Sequence, residues 1–289
     1  MQINKKCIVV ALLSLTVFGV QAQAACDPMV RPASFAEFKK CTYREPETGI
    51  WIVDGDVPIT SEKALEAFYG AAVKLPDPNA LKRPPTLGTK KGQLILNRFN
   101  NTDDVWPPVR QCNIRYCVSR ASSGVRYNQI VAAMAEASNA WGANAGVKLV
   151  HVVGEDASCT ASNSKVDFDV QVVTGQPYLA RAFFPNQSRG TRNVFINASS
   201  FSVDPPLTLV GILRHELGHA LGFRHEHTRP EAGTCFEDKS WKPLTPYDSE
   251  SVMHYPQCKG AAGWALNLTV LDINGSVMAY GAPQMCNQQ

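Results

Sequence analysis

The stretch His215-Glu216-Leu217-Gly218-His219-Ala220-Leu221-Gly222-Phe223-Arg224-His225 constrains this chain more than any other. The chain has six histidines, and five of them lie between His215 and His254. On a helix, residues four apart share a face, with Cβ atoms about 5–6 Å apart. His215 and His219 can therefore offer ring nitrogens to one ion at about 2.0–2.1 Å. Glu216 is turned by about 100° from His215, which sets its carboxylate beside such an ion, suited to holding a water. A helix that ran on would carry His225 away from the site. Gly222 can take positive φ, end the helix and fold the chain back. His225 then completes a three-nitrogen set with one position open, the arrangement of catalytic rather than structural zinc. The apolar run Leu207, Leu209, Val210, Ile212 and Leu213 before the histidines fits a buried helix.

The remaining chain is read for what it adds. At 289 residues it is long enough for one main domain plus accessory sequence. A formal net charge of +3 is too small to argue for nucleic acid or an acidic membrane surface. Lys5 and Lys6, the apolar run Ile8 to Val20 and Ala22-Gln23-Ala24 read as a signal peptide over residues 1–24, too short to span a bilayer. Of nine cysteines, Cys7 leaves with that leader, and the even number remaining fits disulfides in an oxidising compartment. Sequence does not fix their connectivity. The expected pairs are Cys26–Cys41, Cys112–Cys117, Cys235–Cys258 and Cys159–Cys286.

Residues 25–95 form a distinct N-terminal segment ending in a Pro-rich, basic linker, Leu75 to Gly92. It carries an expected short helix over Arg31–Lys40, a strand over Ile50–Val53 and a helix from Thr60 or Ser61 to Val73. From residue 96 strand and helix patterns alternate. Strands are expected over 113–118, 147–153, 166–173, 179–184 and 193–197. Helices are expected over Tyr127–Gly142 and over Pro205–Leu221 with Asp204 as cap, and a short one ends at Tyr280. This implies a mixed α/β (α+β) fold: one sheet with helices packed beneath it, then an irregular C-terminal subdomain.

A second constellation, Ser251-Val252-Met253-His254-Tyr255, lies about 30 residues beyond the histidines. With the first, it resembles the metzincins, and within them the astacin-like zinc metalloproteases most closely. Glu226 directly follows the third histidine, and His254-Tyr255 completes the turn. Pro230-Glu231-Ala232-Gly233 departs from the acidic-Arg-Asp run that astacins carry there.

The resemblance implies a metzincin-type twisted mixed sheet with an active-site helix. It implies one Zn2+ per chain on His215, His219 and His225, with Glu216 as general base and then proton donor. Met253 would form a floor beneath the metal. Tyr255 would be a movable ligand that stabilises the tetrahedral intermediate. Glu226 would be a buried carboxylate positioning the mature N-terminus. Asp56, in Val53-Asp54-Gly55-Asp56, would take the open zinc position in a latent precursor; its bland alternative is a plain turn. His227 and His254 are expected beside the site or exposed, and His151 is expected to be structural.

The implied function is a secreted or periplasmic zinc endopeptidase acting on proteins or peptides, with no stable membrane insertion. Two rivals stay open: a secreted zinc-containing binding protein without catalysis, and a zinc hydrolase of non-peptide amides such as cell-wall material.

Overall fold

The computed structural model describes residues 32–73, 94–233, 235, 240–261 and 263–286. The expected leader, Cys26 and the linker lie outside the described residues.

The N-terminal unit opens with α1 (Phe35–Cys41), capped by the Ser34 side chain. A small antiparallel sheet follows, of β1 (Tyr43–Arg44), β2 (Trp51–Val53) and β3 (Val57–Ile59), and then α2 (Glu62–Val73). Its core is its own: Phe38, Trp51, Val53, Val57, Ile59, Leu65 and Phe68 cluster, and Phe184 of the main domain joins them.

The main domain begins with β4 (Ile95–Phe99) and β5 (Thr102–Asp103). After α3 (Pro108–Gln111) come β6 (Ile114–Val118), α4 (Arg120–Ser123) and α5 (Tyr127–Gly142). Next are β7 (Leu149–His151), β8 (Phe168–Val173), β9 (Ala180–Arg181) and β10 (Asn193–Asn197). The five-stranded sheet has the order β7-β6-β8-β10-β9. Its first four strands are parallel, and β9 closes one edge antiparallel to β10.

Helix α6 (Leu209–Ala220) packs with α5 on one face of this sheet. The core between them gathers Phe168, Val170, Val194 and Ile196 from the strands with Met134, Trp141, Leu213 and Leu217 from the helices. Burying side chains of this size stabilises by about 1.5–3 kcal/mol each. Trp141 donates its indole N–H to the Arg214 carbonyl at 2.9 Å, which fixes where α5 crosses α6. Beyond His227, β11 (Trp241–Pro243) pairs with β4, and α7 (Val270–Tyr280) closes the chain. The rest of that region is turns and short 3-10 segments, the expected irregular subdomain. No helix among the described residues is long and apolar enough to cross a membrane.

Helix α5 has the expected bounds, and strand β10 likewise. Three expectations are corrected. The active-site helix starts at Leu209, capped by the Thr208 side chain accepting from Gly211 N–H at 3.0 Å, and not at Pro205 with Asp204 as cap. Pro206 disfavours helical backbone at Pro205, so the first turn cannot form there. The expected strand over 179–184 shrinks to two residues. Two disulfides differ: Cys112 pairs with Cys286 and Cys117 with Cys159, while Cys235–Cys258 is as expected. Cys117 lies on β6, and an extended strand of about 3.3 Å per residue carries it too far from Cys112 to bridge. The pairing expected for Cys26 lies outside the described residues.

Candidate metal centre

Helix α6 presents His215 and His219 one turn apart. The helix ends at Gly222, whose φ of 92° suits glycine, and a Cβ there would collide with the Asp104 carbonyl. The chain then turns back onto β4: Asn97 N–H donates to the Gly222 carbonyl at 2.7 Å and Arg224 N–H to the Ile95 carbonyl at 2.9 Å. This pairing brings His225 over the helix.

The three imidazoles converge. His225 Nε2 stands 3.2 Å from His215 Nε2 and 3.1 Å from His219 Nε2. Nitrogens bound tetrahedrally to one zinc at about 2.0–2.1 Å would be about 3.3 Å apart. Each ring is also held from behind. The Nδ1 atoms lie 2.7 Å from the Val252 carbonyl for His215, 2.8 Å from the Phe223 carbonyl for His219, and 2.9 Å from Asp54 Oδ2 for His225. With Nδ1 carrying the proton, each Nε2 turns a lone pair inward, as metal ligation requires. All three residues are buried, none more than 3 % exposed. Burial pulls His219 down to about 4, so it is neutral at pH 7.

A fourth donor comes from the N-terminal unit. Asp56 Oδ2 lies 3.2 Å from His215 Nε2, and Oδ1 lies 3.2 Å from His225 Nε2 and 3.6 Å from His219 Nε2. Burial disfavours its charge, but the facing His225 and His219 outweigh that and hold its carboxyl well below the usual range. The turn bearing it, Asp54-Gly55-Asp56, presses against Tyr255: a Cβ on Gly55 would sit 3.0 Å from the phenol oxygen. The Tyr255 hydroxyl donates to Asp56 Oδ2 at 2.5 Å.

Glu216 is buried beside this group, and its Oε2 has no hydrogen-bond partner. Burial first, then the charge of Asp56, push its carboxyl well above the usual range. Met253 is fully buried under the centre, its thioether packed at Gly218 of α6. Glu226 points away from the imidazoles. It accepts from Asp248 N–H at 3.0 Å and pairs with Arg229 Nε at 2.9 Å, while its own N–H donates to the Met253 carbonyl at 2.9 Å. Every residue singled out in the two motifs is therefore brought to this centre or to its immediate support.

Three contributions escaped the sequence reading. Asp54 Oδ2 bridges His225 Nδ1 at 2.9 Å and His227 Nε2 at 2.7 Å. The signal in the sequence is the pair of carboxylates flanking Gly55, of which the resemblance assigns a role to Asp56 alone. His227 and His254 are both buried, so exposure is excluded; His254 Nε2 bonds the Tyr247 hydroxyl at 2.9 Å. Asp272, in the first turn of α7, fixes the methionine turn. It accepts from the Ser251 hydroxyl at 2.6 Å and from Val252 N–H at 2.9 Å, while forming a reciprocal cap with Thr269. His151 bonds both oxygens of Asp156 at 3.0 Å, away from the centre.

The donor set fits zinc: three converging imidazoles, a carboxylate at the fourth corner, and an unpartnered carboxylate oxygen alongside.

Comparisons with known proteins agree with this chemistry. The family model described as matrixin (Peptidase_M10) matches residues 106–232, a span containing all three histidines and Glu216. Protein SpAN of Strongylocentrotus purpuratus is 24% identical over 281 residues, covering 81% of this chain and 41% of that protein. Zinc metalloproteinase nas-30 of Caenorhabditis elegans is 42% identical over 64 residues, 16% of this chain and 9% of its own length. High choriolytic enzyme 1 of Oryzias latipes is 41% identical over 61 residues, 16% of this chain and 23% of that enzyme. The chain thus spans well under half the length of these relatives. The solved structure of myroilysin aligns at a TM-score of 0.44 and 14% identity, covering 64% of this chain and 98% of that one. The matrixin match across the histidines and the metalloproteinase relatives support the resemblance that the motifs carry, to a metzincin-type zinc metalloprotease.

Proposed function

We propose that this chain is an exported zinc endopeptidase whose N-terminal unit holds it latent. The observation that carries the reading is the convergence of three rear-anchored imidazoles beside the unpartnered carboxylate of Glu216. His215, His219 and His225 would hold the ion. When bound, zinc supplies Lewis acidity: it polarises the scissile carbonyl and lowers the pKa of a water to about 7.

The chain's own residues do the rest. Glu216 takes the proton of the attacking water and hands it to the leaving amine. A carboxyl whose pKa lies near working pH suits both halves of that transfer, and burial of Glu216 raises it in that direction. The Tyr255 hydroxyl stabilises the developing oxyanion once it is released from Asp56. Met253 floors the site, and Asp272 fixes the turn that carries it.

Asp56 blocks the reaction in the intact chain, because its carboxylate fills the corner a water needs and engages Tyr255. Displacement of residues 32–73, through cleavage in the linker, would open the site. Export is supported by the leader pattern and by three disulfides among the described residues. An intact general base argues against a silent binding protein.

The test is casein digestion by chain treated with protease to cut the linker. Turnover should vanish on chelation and return with added zinc. Cleavage indifferent to chelator contradicts the proposal.

A further inference from the structure

Glu45 and Arg181 form a buried ion pair that the latency reading does not use. Glu45 follows β1 in the N-terminal unit; Arg181 lies on β9, the edge strand of the main sheet. The guanidinium grips the carboxylate with two bonds, Nε to Oε1 at 2.6 Å and Nη2 to Oε2 at 2.8 Å. The Tyr178 hydroxyl donates to Oε1 at 2.5 Å, and Thr48, from the same unit as Glu45, donates to Oε2 at 2.6 Å. Arg181 also lies over the Phe195 ring at 4.1 Å. Both partners of the pair are at least 99 % buried.

Three of these features belong to the main domain and would outlast the N-terminal unit: the Arg181 fork, the Tyr178 hydroxyl and the Phe195 platform. They sit on the sheet face away from α6, where Ile50 and Ile52 cover Tyr178 and Phe195. If the unit leaves, that cover leaves with it. The uncovered guanidinium fork and phenol keep the donor geometry that gripped Glu45, so the site can accept another carboxylate in its place. Among the described residues no strand pairs with the outer edge of β9, where an extended peptide could add. The edge leads to the metal centre: Phe184, three residues on, packs edge-to-face on His219 at 5.7 Å.

We propose that Arg181 and Tyr178 form a carboxylate-binding subsite at the sheet edge beside the metal centre, filled by Glu45 in the intact chain and by an acidic substrate side chain once the N-terminal unit is displaced. The second half rests on the endopeptidase reading; the first half does not. Bidentate arginine with a tyrosine donor selects a planar anion over the amide of the same shape.

The experiment uses the full-length chain and begins without activity. Glu45→Ala should lower the thermal midpoint by roughly 10 °C, since it strands a buried charge. Propionate should recover most of that loss and propionamide none of it. In Glu45→Ala with Arg181→Met, propionate should have no effect. If that pair of changes prevents folding, Arg181→Lys replaces it, keeping the charge without the fork and giving a weaker response. Equal responses to propionate and propionamide overturn the proposal. Activity is the second arm: zinc-loaded Asp56→Ala, Glu45→Ala chain, cut in the linker to release the N-terminal unit, is given peptides differing only by Glu or Gln at one position, scanned along the sequence. One position should favour Glu by about tenfold, the value of one charged hydrogen bond, and Arg181→Met should abolish that preference. A preference that survives Arg181→Met, or none at any position, overturns the substrate half. Cleavage of no peptide, with propionate still effective, counts against the endopeptidase reading and leaves the carboxylate site supported.

Discussion

The stretch His215–His225 and the turn Asp54–Asp56 meet at one point, yet they are built in opposite ways. The first is local. Its spacing on α6, its Gly222 reversal and its pairing with β4 place three nitrogens within 11 residues of sequence. The second acts from about 160 residues away, delivered by a separate small core packed against Phe184 and the sheet edge and by the Glu45–Arg181 pair. The first region supplies donors whose rear atoms are bonded mostly by the main domain. The second supplies acids: Asp56 to the centre, Asp54 to His225 and His227, Glu45 to Arg181. Chemistry can thus be written into a short motif, while its restraint is written into long-range contacts.

This contrast can be broken most severely at the local motif. Removing the metal by chelation should abolish peptide cleavage in chain freed of its N-terminal unit, and zinc should restore it; metal analysis and turnover read this together. Glu216→Gln should keep zinc and lower cleavage by about 10²–10⁴-fold, measured on peptides with metal content verified. A variant that loses zinc as well would make Glu216 part of the binding set rather than the base.

Smaller effects test the scaffold that both regions share. Replacing Cys117 and Cys159 by serine opens a link across 42 residues. Denaturant unfolding should register a loss of about 4 kcal/mol, with the histidine centre still binding zinc. Asp272, which anchors the methionine turn, titrates at about 6 instead of 3.8, chiefly because it is buried. Between those values the folded chain keeps a proton that the unfolded chain has released, so stability falls as pH rises through that window. Above about pH 6 the deficit amounts to about 3 kcal/mol. Unfolding of the wild type and Asp272→Asn across pH 4–7 should show a steeper fall in the wild type. Parallel curves would remove Asp272 from the account.

What the sequence made legible follows the same division. The three converging histidines, Glu216, Met253 and Tyr255 lie in two short motifs, and periodicity is enough for α5 and β10. The start of α6 is expected too early because Asp204-Pro205 has the look of a cap followed by a first-position proline, whereas backbone sterics at Pro205-Pro206 and the Thr208 cap decide. The cysteine pairs failed where they were guessed from nearness in sequence, since β6 carries Cys117 away from Cys112 and toward Cys159. Asp56 was found through a two-residue resemblance. Its neighbour Asp54 and the pair of Glu45 with Arg181, 136 positions apart, leave no mark in spacing or composition.

The central claim is that a competent centre lies beneath a carboxylate plug. It is tested most directly by comparing uncut, full-length, zinc-loaded wild type with Asp56→Ala on one peptide library, with cut sites read by mass spectrometry. The account predicts that the wild type is silent and that Asp56→Ala cleaves internal bonds, with Glu216→Gln in the same background abolishing the cuts. An Asp56→Ala chain that folds, binds zinc and cleaves nothing would contradict it.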